Sequence, residues 1–232
     1  MKSRQEIKAY AKTAMKEQHG TAIVLPLSLM AIGIPLAVIG LIVTFGPLPE
    51  ILSTIIFLAV IPVSVVLEIN MNGEFIKIYN NEEASLNAIF SNLNVNFLRK
   101  FGGAWWMGLW VAIWSILFII PGIIKGLSYS LTTYILADCP NVSARDALKL
   151  SMRMTHGYKL KIFVFGLSFF GWMLLSGFTF GILFIVFVGP YMHTSYAGLY
   201  VELRDNALRN GVVTAEELGM YSMDNNQIGN FN

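Results

Sequence analysis

Arg145, Lys149 and Arg153 recur at every fourth position, a spacing that puts three cations on one face of a helix. Ala144, Ala147, Leu148, Ser151, Met152 and Thr155 follow at i, i+3, i+4 and form a separate, apolar face. Ser143 with Asp146 three positions on has the spacing of a capping box at the helix start. Cations in such a row suit the phosphates of anionic lipid headgroups, at about 1 kcal/mol for each basic residue near the surface. Lys8, Lys12 and Lys16, with Arg4 before them, repeat the row near the N-terminus. These residues are the candidate headgroup contacts. In the other reading of both rows, the cations only anchor and orient the apolar segments beside them.

A second set is polar in an apolar setting: Lys125, Tyr129, Thr133 and Tyr134 in one stretch, His193 and Tyr196 in another. Such side chains can line a wet or ligand-holding cleft, or they can bond their own helix backbones and glue helices together. Catalytic machinery is not legible. There is no HExxH, GxSxG, Walker loop or CxxC, and the three histidines lack the spacing of a metal site. The one cysteine, Cys139, excludes an internal disulfide and any multi-thiolate centre. No catalytic residue, metal or cofactor is therefore assigned, and an enzyme is not expected. The net charge of +2 follows the layout of the segments and does not suggest nucleic acid as a partner.

The elements that must carry these residues are membrane spans. At 55% hydrophobic and 13% charged, with a mean hydropathy of +0.61, the chain has more apolar material than one soluble core of its size encloses. Apolar runs cover about 21–45, 51–69, 103–121, 123–138, 162–178 and 181–201. The first is too long for a cleaved leader and reads as a retained signal anchor. The fourth is short, and a tight hairpin or a re-entrant turn at Pro121-Gly122 joins it to the third. Of the 16 lysines and arginines, all but Lys125 lie in the N-terminal arm, in 77–100, in 145–161, or after the last run. Basic residues next to spans stay in the cytoplasm, so six crossings with both termini inside are expected. Pro62, Pro121 and Pro190 fall on the return strokes of the three resulting hairpins. Glu68, Asp138 and Glu202 read as interfacial acids at the inner ends. Residues 204–232 form a polar cytoplasmic tail, of which Gly211 to Asn232 reads as mobile apart from a Thr214-x-x-Glu217 cap.

An internal repeat organises the hairpins. Met15 to Gly20 matches Met152 to Gly157 at an offset of 137 positions, which also superposes Lys8 on Arg145 and Lys12 on Lys149. With Ala84 to Phe101 as a third member, the unit is one interfacial helix followed by one hairpin. The fold class is all-α: a single integral membrane domain over residues 1–203.

From residue 100 onward particular residues carry a family resemblance: Pro121-Gly122-Ile123, Tyr129, Tyr134 to Asp138, Ser143, Ala144, Ala147, Ser151, Phe163, Ser168-Phe169, Gly171-Trp172 and Pro190-Tyr191. The chain there resembles the uncharacterised bacterial integral membrane proteins grouped as domain of unknown function 975. It departs from them in the loop before the fifth span, where His156-Gly157-Tyr158-Lys159 replaces their usual Gly-His-Lys order. The resemblance implies a multi-pass protein of the bacterial cytoplasmic membrane and no established reaction. The expected function is a non-enzymatic envelope protein that engages anionic lipid or a partner membrane protein, in homeostasis or in protection against membrane-active peptides. A small transporter or permease component is the alternative, and a lipid-acting enzyme comes third.

Overall fold

The computed structural model describes residues 2–45 and 50–220, without the side chains of 36–37, 39–57 and 59. All regular structure among the described residues is helical. The order is α1 (Arg4–Glu17), α2 (His19–Phe45), α3 (Glu50–Tyr79), α4 (Leu86–Ser91), α5 (Phe97–Leu117), α6 (Ile119–Tyr129), α7 (Thr132–Asp138), α8 (Ala144–Thr155), α9 (Lys159–Leu167), α10 (Phe170–Phe178), a π-helical turn (Phe184–Val188) and α11 (Gly189–Arg209). The first outer connection, after Phe45, and the tail beyond Met220 lie outside the described residues.

The chain folds back on itself in antiparallel hairpins. In the second, Phe118 alone is extended (φ −155°, ψ 131°), and α6 runs back along α5. A Cβ on Gly122 would come within 2.7 Å of the Ser115 Cα, and one on Gly103 within 2.7 Å of Leu136, so glycines set the close approach at both ends. The turn therefore lies at Phe118, not at Pro121-Gly122. Pro121 sits in the first turn of α6, where its missing N–H has no helical partner to lose. The third hairpin is zipped by rings. Phe165 meets Tyr196, Phe169 meets Tyr191 and Trp172 meets Phe187, with centroids 5.3, 5.5 and 5.6 Å apart.

Two stretches among the described residues, Ile119–Asp138 and Lys159–Phe178, are long and apolar enough to cross a membrane. Both are broken near their middles, at Ser130-Leu131 and at Ser168-Phe169. The tips of the second and third hairpins are strongly apolar and uncovered: Ile116, Phe178 and Phe180 are 85, 84 and 97% exposed. The opposite end of the bundle is polar and holds the core of α3, α7, α8 and α11. There α3 continues ten residues past the end expected for its span, because the polar groups that suggest a loop are bonded inside the fold. Asn70 donates to the Ile89 carbonyl (2.8 Å), and Glu74 accepts from the Ser85 N–H (2.8 Å).

α1 and α8 start alike. Ser3 accepts from the Glu6 N–H while its own N–H donates to the Glu6 carboxylate, and Ser143 accepts from the Asp146 N–H while its hydroxyl donates to that carboxylate. The caps stand 140 positions apart, and the same shift carries the buried Ile7, Ala11, Ala14 and Met15 onto the buried Ala147, Ser151, Met154 and Thr155. The structural register of the repeat is thus 140 rather than 137, since burial and capping fix it and the shared Met and His-Gly letters do not. α4, with six residues and no side-chain cap, is a much shorter counterpart.

Candidate functional site

The basic rows come first. On α8, Arg145, Lys149 and Arg153 are exposed, while Ala147, Leu148, Ser151, Met154 and Thr155 are buried. That buried face rests on α5, α6 and α7, so protein and not the headgroup layer covers it. Lys149 pairs with Asp146 (3.0 Å), and Arg153 pairs with Glu217 (2.6 Å) and donates to the Val212 carbonyl. The latter contacts draw in the segment after α11, where Thr214 and Glu217 bond reciprocally and Val213 and Leu218 are buried. Residues 211–220 are accordingly folded, contrary to the expectation of a mobile tail, because two apolar side chains there find a core.

On α1, Lys12 and Lys16 are exposed and Lys8 is turned inward. Its ammonium donates to the Ser168 hydroxyl (2.6 Å) and carbonyl (3.3 Å) and lies 3.5 Å from the Phe169 ring centroid. Burial, with Arg4 nearby, pushes Lys8 down to about 8. Lys8 thereby fills the break between α9 and α10. The break between α6 and α7 is filled from α8: Ser151 (2.8 Å) and Thr155 (3.2 Å) donate to the Ser128 carbonyl, and Ser151 accepts from the Leu131 N–H (3.3 Å). Each broken stroke is thus completed by a side chain from a helix that precedes a hairpin.

The six polar residues of the apolar stretches do not share one contact. Lys125 sits between the rings of Trp114 (5.6 Å) and Tyr129 (5.8 Å). Tyr134 stacks on Tyr200, His193 on Phe75, and Tyr196 packs against Phe165 and Phe169. Thr133 is half-buried among them, without a side-chain hydrogen bond.

Two polar centres escaped the sequence. In the first, Asp138 accepts from Arg204 (2.7 Å) and from the Tyr200 hydroxyl (2.7 Å), with side chains only 20 and 15% exposed for the ion pair. The interfacial acid of the sequence reading is therefore half of a largely buried ion pair that ties α7 to α11. Cys139 beside it is buried, and burial together with the Asp138 charge pushes its thiol up to about 12. Glu202 similarly holds the chain start, accepting from the Lys2 backbone N–H (3.0 Å) and pairing with its ammonium (2.9 Å).

The second centre is a cleft of about 330 Å³ between the end of α3, the start of α5 and the end of α7. Arg99 donates from Nη1 to the carbonyls of Cys139 (3.1 Å) and Val142 (2.6 Å) and from Nη2 to that of Leu136 (2.6 Å), closing the C-terminus of α7. Lys100, 7% exposed, donates to Asn70 Oδ1 (2.6 Å) and to the Asn92 carbonyl (3.4 Å). Burial pushes both cations down, and for Lys100 the neighbouring guanidinium adds to it. Adjacent basic residues at a span border announce no such site, since their partners come from α3, the α4–α5 turn and α7.

No curated protein and no solved structure matches the chain. Residues 104–207, from within α5 to near the end of α11, match the model of the family described as protein of unknown function (DUF975), the family that the sequence resembles there.

Proposed function

We propose that the chain is a six-span protein of the bacterial cytoplasmic membrane, with both termini inside, and that it acts without catalysis by engaging anionic lipid at the inner surface. One observation carries the reading: Arg4, Lys12, Lys16, Arg145, Lys149 and Arg153 stay exposed on helices whose apolar faces are already taken by protein. Helices held this way present their cations from a fixed frame, and the exposed pairs with Asp146 and Glu217 are weak enough to exchange for headgroups. The uncovered apolar tips at the other end support a surrounding of lipid. Broken strokes favour a transport pathway when they leave backbone groups for water. Here Lys8, Ser151 and Thr155 bond the carbonyls at two of the breaks, which favours a closed structural role.

The test is retention of phosphatidylglycerol against phosphatidylcholine by the purified protein, read by mass spectrometry of co-purified lipid. Arg145→Gln, Lys149→Gln and Arg153→Gln together are expected to lower the preference at least tenfold, from about 1 kcal/mol per cation. An unchanged preference in a folded triple variant removes the reading. In the cell, a deletion strain is expected to become more sensitive to cationic membrane-active peptides.

A further inference from the structure

We propose that the cleft at the start of α5 is a binding site for a phosphomonoester, held by Arg99 and Lys100. The two cations are neighbours in the first turn of a helix, where the backbone already concentrates positive potential, and no acid accompanies them in that turn. Neither has a carboxylate partner: Arg99 is spent on three carbonyls, and Lys100 on an amide and a carbonyl. Of the three acids that line the cleft, Glu74 is paired with Lys77 (2.8 Å) and Asp138 with Arg204 (2.7 Å), and Glu82 is exposed.

Donors remain. Arg99 Nη2 has two hydrogens for one acceptor, the Leu136 carbonyl, and the Lys100 ammonium has three hydrogens for two acceptors, one of them at 3.4 Å. Lys100 is buried and Arg99 half-buried, each held only by neutral acceptors, and an anion in the cleft offsets part of their desolvation. A phosphomonoester fits the donor set better than a carboxylate, because its three terminal oxygens can accept from Arg99, from Lys100 and from the N–H groups of the helix start at once. About 330 Å³ also leaves room for the organic group that the phosphate carries. That group belongs either to a soluble metabolite or to a lipid whose headgroup ends in phosphate; the exposed Val95 and Leu98 beside the cations suit the second.

The site does not depend on the rows of α1 and α8, so its test avoids charged bilayers. The full chain in a maltoside detergent is titrated with glycerol 3-phosphate by calorimetry at constant ionic strength, and in parallel with phosphatidate in the same micelles by native mass spectrometry. Saturable one-to-one binding of glycerol 3-phosphate assigns a soluble ligand; saturable binding of phosphatidate alone assigns a headgroup. Lys100→Met is expected to weaken either at least tenfold. Asn70→Asp, which gives Lys100 a carboxylate of its own, is expected to do the same while keeping the fold, judged by protection of the Cys139 thiol from maleimide. Failure of both probes to saturate, or wild-type affinity in a folded variant, overturns the proposal.

Discussion

Lys8 shows how one side chain sets a measurable property. Its ammonium is half-buried against Phe169 and Ser168 and titrates at about 8, whereas an unfolded lysine titrates near 10.5. Between those two values the unfolded chain binds the extra proton, so stability rises with pH from about 8 to 10.5; below 8 the cost of the buried charge is constant. Thermal melts in detergent are expected to show this rise for the natural chain and a flatter profile for Lys8→Met. Asp138 makes the complementary case. Asp138→Asn leaves Arg204 with only the more exposed Asp205 (3.1 Å) as counter-charge, so a loss of roughly 1–2 kcal/mol in an SDS unfolding titration is expected. The role of Asp138 was invisible in sequence because its partner lies 66 positions away. The stripe of Arg145, Lys149 and Arg153 was legible because a helix places every fourth residue together without help from the rest of the chain.

Elements follow the same division between local and distant causes. The caps at Ser3 and Ser143 could be read from Ser-x-x-acid spacing, and their helices begin where that spacing puts them. The extension of α3 could not, since Asn70 and Glu74 look like loop residues until α4, its N-cap Ser85 and α5 supply their partners. Nor could the seam at Ser130-Leu131, where hydroxyls from α8 replace missing helical bonds. Ser151 and Thr155 are expected to act together there. Ser151→Ala leaves the Ser128 carbonyl only the Thr155 hydroxyl, which then turns to it from the Ser151 carbonyl (2.8 Å), but Ser151→Ala with Thr155→Ala leaves it without either donor, at about 1–3 kcal/mol. A double-mutant cycle in SDS unfolding reads the coupling; strict additivity of the two single effects would remove the shared-acceptor account.

At the scale of the molecule, the basic segments gather at one end of the bundle and the apolar hairpin tips at the other. Contacts between distant segments assemble that polar end: Arg204 with Asp138, the Asn206 side chain donating to the Tyr158 hydroxyl, and Gln18 donating to the Glu82 carbonyl. Reporter fusions after Tyr158 are expected to read cytoplasmic and fusions after Phe180 exterior; the reverse result would refute the proposed orientation. The all-helical class was legible from hydropathy and helical spacing. The cleft of Arg99 and Lys100 was not, because no short motif records a site assembled from four separate segments.

The docking of α1 bears on biosynthesis. Its anchors are Ser168, 160 positions downstream of Lys8, and Glu202, 200 positions downstream of Lys2. The seat of α1 is therefore built in part from the last hairpin, and until Glu202 has emerged its apolar stripe of Ile7, Ala11 and Met15 has only α2 and α3 to pack on. Closure of the bundle thus waits on a segment made 200 positions after Lys2.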